Sequence, residues 1–109
     1  MRNGICLAVK HKVKIALGTD AGVVPHGANA REFFLLVEWG GLSPMEAITC
    51  GTLNGAKLLG WDARLGSLEA GKLADIVAVP GDPLQDIRKM ETTAFVMKNG
   101  VVYKSNLER

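Results

Sequence analysis

Histidine and cysteine are scarce in this chain: each occurs twice in 109 residues, as His11, His26, Cys6 and Cys50. The cysteines stand far apart and neither belongs to a CxxC pair, which excludes a zinc knuckle and a disulfide framework and predicts a reducing, cytoplasmic location. Long hydrophobic runs are also lacking, and none approaches the roughly 20 residues of a membrane-spanning helix. The opening "MRNGICLAVKHK" has a short apolar core and no small-residue cleavage site, so it does not read as a signal peptide. Charge of one sign is missing too: 13 basic against 11 acidic residues leave a net charge of +2, mixed along the whole length. The one basic cluster, Lys10, Lys12 and Lys14, has no interleaved aromatics and suits a solvated helix end. No nucleic-acid partner and no membrane partner is expected. Repeats and low-complexity tracts are absent.

What remains is a folded chain: 48% hydrophobic and 22% charged residues, enough length for one domain and too little for two. Ile5, Leu7, Ala8 and Val9 predict a short helix ending near His11 and Lys12, which places His11 on the surface. Residues 13–17, "VKIAL", predict a strand, and the glycines and Pro25 that follow predict a loop over 18–28. Asn29 with Glu32 three residues on resembles a capping box for a helix over 30–39. Apolar residues nearly encircle that helix, so burial on several sides is expected. Ser43-Pro44-Met45-Glu46 is a helix start with serine as cap and proline in the first turn, for a helix to about Cys50. A further helix begins near Thr52 or Asn54 and ends at Gly60.

Beyond Trp61 the texture turns from helical to β. Residues 66–68 predict a short strand, 74–79 ("ADIVAV") a second, and 84–89 a short helix. Residues 94–98 and 101–104, joined by Asn99-Gly100, predict a hairpin. Asp75 interrupts an apolar strand, and a structural pair with Lys72 or with a turn amide is expected of it. Phe33, Phe34, Trp39, Trp61, Met45, Met90 and Met97 are expected in the core.

The stretch "ALGTDAGVVPHG" over residues 16–27 ends a strand on an acid, Asp20, between glycines. An aspartate there reads as a turn or cap acid, or as a functional carboxylate at a strand mouth. "GTDAG" is too short for a P-loop, lacks its Lys-Ser/Thr ending and does not fit GxGxxG, so phosphate binding is a weak reading. Arg31 and Glu32 beside the loop read as a solvated helix face rather than as substrate contacts.

The motifs "KIALGTDAG", "SPMEAIT", "LNGAKLLG", "GSLEAGKLADIVAVPGDPL" and "FVMKNGVVYK" occur in the order seen at the C-terminal end of metal-dependent amidohydrolases. Over residues 9–104 the chain resembles the imidazolonepropionase-like and Xaa-Pro-dipeptidase-like members of that family. The resemblance implies an α/β fold: the C-terminal piece of a (β/α)8 barrel, with its last strand and closing helices in residues 1–63, and part of a small β-sandwich in residues 64–109. It implies a hydrolase of C–N bonds in a small molecule or dipeptide. It makes Asp20 a ligand of a catalytic zinc or other divalent metal, and the group that carries a proton from metal-bound water to the leaving amine. It sets His26 in a loop where relatives often contact substrate, although a local hydrogen bond suits that histidine equally. The family site also needs a His-x-His pair, usually two more histidines and in many members a carboxylated lysine, all from earlier strands. This chain has no His-x-His. A catalytic zinc needs three protein ligands and an open position, so the isolated chain is expected to bind no metal tightly and to be inactive. A missing N-terminal barrel portion is the partner implied. The competing reading is a non-catalytic module of hydrolase ancestry. Its exposed edges would drive self-association, or would let residues 13–17 pair with the β unit in a rearranged fold.

Overall fold

A computed structural model describes residues 2–19 and 27–106. Four helices come first: α1 (Arg2–Lys10), α2 (Arg31–Glu38), α3 (Pro44–Gly51) and α4 (Leu53–Leu58). A three-stranded antiparallel sheet follows, β1 (Ile76–Ala78), β2 (Phe95–Lys98) and β3 (Val101–Ser105) in the order β1-β2-β3, with a 3-10 helix over Ile87–Glu91 between its first two strands.

The helices form where local signals are strongest. Ser43 caps α3 reciprocally: its Oγ accepts from the Glu46 amide at 3.2 Å, and its own amide donates to Glu46 Oε1 at 3.1 Å. Pro44 occupies the first turn, where no amide is needed. Gly60, at φ +74°, closes α4 with bonds from its own amide to the Lys57 carbonyl and from Trp61 to Ala56, a Schellman motif. α2 starts differently from expectation. Ala30 is its N-cap, with no side-chain cap bond, and Asn29 contributes only its carbonyl, to the Glu32 amide. The sequence pattern of a capping box therefore marks the right turn without forming one.

Leu36, Ala47 and Cys50 make the centre of the helical core, and Ile5, Ile15, Leu17, Phe33, Val37 and Leu42 pack around it. Ile87 is buried, and its 3-10 helix packs on α2, which ties the sheet to the helices. In the sheet, Asn99 and Gly100 both have positive φ (48° and 77°), the backbone that a type I′ turn demands. β2 and β3 pair through a bulge: Val96 faces Lys104 and Met97 faces Val102, leaving Tyr103 as the extra residue.

Several expectations are corrected. Residues 13–17 run outside any sheet, because a strand needs a ladder partner and no described segment lies alongside; nor do they pair with the β unit. Residues 66–68 form no strand: the chain bends over residues 65–67, Leu68 is exposed, and Gly66 takes φ +101° where a Cβ would run into Ala56. The helix expected over 84–89 splits: Asp82 Oδ1 takes the Leu84 amide to make a turn, and Asp86 Oδ1 takes the Arg88 amide to start the 3-10 helix. α2 buries only Leu36, its other apolar residues being half exposed. Trp61 and Met45 are also exposed, at 46% and 54%, so neither is core; Trp61 carries the Arg64 guanidinium 4.9 Å above its ring.

The core is small for the chain. Among the described residues no large side chain is fully buried.

Candidate functional site

Asp20 and His26, the two residues that the sequence singles out, lie outside the described residues. What the structure shows is how the chain is delivered to position 20. Val13 donates its amide to Ala8 at the end of α1, which turns the chain out of the helix. Ile15 and Leu17 then press on the helical core. Two polar bonds fix the same stretch: the Leu17 amide donates to the Cys50 carbonyl at 3.0 Å, and Asn54 Nδ2 donates to the Ile15 carbonyl at 3.0 Å. The segment leading to Asp20 is thus anchored on the α3–α4 junction.

Two clefts border this segment. The first, about 330 Å³, lies between residues 12–15 and α3 and is lined in part by Lys12, Lys14, Glu46, Thr49 and Cys50. The second, about 440 Å³, has Lys14, Asn54, Lys57 and Leu58 among its walls. Neither carries the chemistry of a hydrolase. Burial pushes the Cys50 thiol up from its ordinary range, so the buried sulfur is no nucleophile. The Glu46 carboxylate is held below its usual range by the Ser43 amide and then by the Ser43 hydroxyl, so it is committed to capping α3.

The remaining candidate acids are structural. Asp75 Oδ1 accepts the Asn99 amide at 2.8 Å, which settles its expected partner as the turn and not Lys72. Lys72 instead reaches Glu69 at 2.9 Å and Ser67 at 2.6 Å, while Ser67 also donates to Glu69. Hydrogen bonds from Ser67 and Lys72 hold the Glu69 carboxyl down. Asp86 is held down in the same way by the Arg88 guanidinium, 3.1 Å away. Glu32 is half-buried and Arg31 exposed on α2, and His11 is exposed just past α1. Among the described residues no group of three or more histidines, cysteines and acids could hold a metal ion. The residues described do not by themselves fit the metal that the family resemblance implies.

Sequence reasoning passed over Asn54 and the Cys50 carbonyl. A signal for Asn54 exists: asparagine is a poor helix former, and its place within α4 asks for a use of its side chain.

The amidohydrolase family profile matches residues 2–103. The chain belongs to the amidohydrolase family. It is 40% identical over 101 residues to ochratoxinase of Aspergillus niger, an alignment covering 89% of this chain and 21% of that enzyme. Its fold superposes with a TM-score of 0.91 on the crystal structure of a Xaa-Pro dipeptidase with methionine bound in the active site, at 45% identity over 95% of this chain and 25% of that one. A putative prolidase from Bifidobacterium longum gives a TM-score of 0.89 at 39% identity, over 99% of this chain and 27% of its own. The helices and sheet described above are therefore an α/β portion of the amidohydrolase fold. The chain spans 21–27% of the length of these relatives. No helix of this amidohydrolase-family chain, among the described residues, is long and apolar enough to cross a membrane.

Proposed function

We propose that the chain is the C-terminal portion of a metal-dependent hydrolase acting on C–N bonds, with a dipeptide as the preferred substrate class. Residues 1–63 contribute the last strand and closing helices of a (β/α)8 barrel, and residues 64–109 a share of a small β-sandwich. The observation that carries this reading is the match to a Xaa-Pro dipeptidase at 45% identity across 95% of the chain. Asp20 is the metal ligand and proton carrier that this chain contributes, and His26 is its candidate substrate contact. The other ligands come from the N-terminal barrel portion, so hydrolysis belongs to the complete protein and no catalytic step is assigned to this chain alone. A cytoplasmic setting accords with the free thiols of Cys6 and Cys50.

The test is complementation. The chain, alone and together with the N-terminal three quarters of a dipeptidase relative, is assayed for release of proline from Xaa-Pro dipeptides. Activity is expected only in the mixture, and Asp20→Asn should lower it by about a hundredfold or more, the span of a lost acid–base group. Equal activity of the Asp20→Asn mixture would refute the assignment.

A second reading, a non-catalytic self-associating module of hydrolase ancestry, is favoured by one observation: Leu58, Leu59, Val77, Val101 and Tyr103 stand exposed to water. It requires the complemented mixture to stay inactive while the chain alone forms a defined oligomer.

A further inference from the structure

We infer that Asn54 is a positioning residue: with the Cys50 carbonyl it clamps residues 13–19 in register, and so fixes the line on which the chain reaches position 20. The inference rests on the reading of Asp20 as the functional acid, although the clamp itself is visible without it.

The carbonyl of Ile15 and the amide of Leu17 are two residues apart, so in an extended segment they point to the same edge. Their partners, Asn54 Nδ2 and the Cys50 carbonyl, lie four residues apart, one helical turn, across the α3–α4 junction. A carbonyl only accepts, so the amide group of Asn54 must turn its NH2 toward Ile15, and the same NH2 lies 3.9 Å from Cys50 Sγ. Two bonds at adjacent sites on one edge oppose both rotation and sliding of the segment. Apolar packing by Ile15 and Leu17 alone opposes sliding weakly, because Val13 and Ala16 are also apolar. A slip of one residue would exchange the face on which every later side chain leaves the segment. For a carboxylate that must meet a metal to within a few tenths of an ångström, register is decisive.

Amide hydrogen exchange on the 109-residue chain tests this. Asn54→Leu removes the donor at similar volume. It should lower protection of the Leu17 amide by roughly five- to tenfold, the weight of one ordinary hydrogen bond, and leave the Ala47 amide, bonded to Ser43 in α3, unchanged. Asn54→Asp keeps the shape and makes the donor conditional. As a carboxylate it repels the Ile15 carbonyl; below about pH 4 its protonated oxygen donates and should restore Leu17 protection relative to the intrinsic rate. Lys12, Lys14 and Lys57, Glu46 and the Cys50 thiol line the surrounding clefts, so Asn54→Leu measured at both pH values subtracts whatever these neighbours contribute. An unchanged Leu17 amide in Asn54→Leu would overturn the clamp. So would an even loss across α3 and residues 13–19, or Asn54→Asp showing no acid recovery beyond Asn54→Leu. None of these readouts depends on Asp20, so the clamp and the metal-ligand reading fail separately.

Discussion

Ser43 and Glu46 are both exposed, yet each satisfies an amide of the other at the start of α3. The carboxylate form of Glu46 is the better acceptor, which is why its pKa is lowered. A carboxyl whose folded pKa lies below its unfolded value adds stability that is complete above about pH 4.3 and is lost as pH falls through the lower, folded-state value. Glu69 and Asp86 shift in the same direction. Thermal unfolding followed from pH 7 to pH 3 should show a plateau and then a decline beginning near that pH, and Glu46→Gln should reduce the decline. Ser43→Ala should cost about 1 kcal/mol, read as a lower denaturant midpoint. Gly51 has a different constraint: a Cβ there would stand 2.5 Å and 2.6 Å from two ring carbons of Phe33. Gly51→Ala should therefore destabilise by roughly 1–3 kcal/mol through overpacking, and Phe33→Leu in the same chain should recover part of that loss.

At the scale of elements, the hairpin and the β1 strand are joined by more than their ladder. The Asn99 amide reaches the Asp75 carboxylate, and the Gly100 amide reaches the Ala74 carbonyl at 3.0 Å, so the turn is tied to the residues just before β1. Asp75→Ala should cost about 1.5–3 kcal/mol, the range for a hydrogen bond to a charged acceptor, with the lower end favoured because the site is exposed. Exchange protection should fall at Asn99 and Gly100 before it falls in the helices. These two elements also show what was legible in the sequence. Asn99-Gly100, the Ser43 cap with Pro44 in the first turn, and the Gly60 stop act over a few residues, and each formed where its residues predicted. Residues 13–17 have the composition of a strand, but a strand is completed by another segment, and none of the described ones supplies it. Residues 66–68 failed for a local reason, the left-handed backbone of Gly66. For the site, the motif order pointed to the family. Asn54 was missed because its partner is 39 residues away and no pattern along the chain joins the two.

At the scale of the molecule, the chain folds its own helices around a core of few residues and leaves much apolar surface in water. Leu58 and Leu59 on and after α4 are 77% and 72% exposed, and Val77, Val101 and Tyr103 are exposed on the sheet. Surfaces of this kind associate. Sedimentation at tens of micromolar should give a dimer or larger species, and the N-terminal portion of a relative should dissolve it into a heterocomplex. A monodisperse monomer with cooperative unfolding would contradict that picture. Asp20 is proposed as one ligand of a metal site that other polypeptide must complete. Elemental mass spectrometry on the purified chain, beside Asp20→Ala, addresses it most directly. Little or no divalent metal in either sample is the predicted result. Near-stoichiometric metal in the natural sequence, lost in Asp20→Ala, would contradict it and show that copies of this chain assemble a site by themselves.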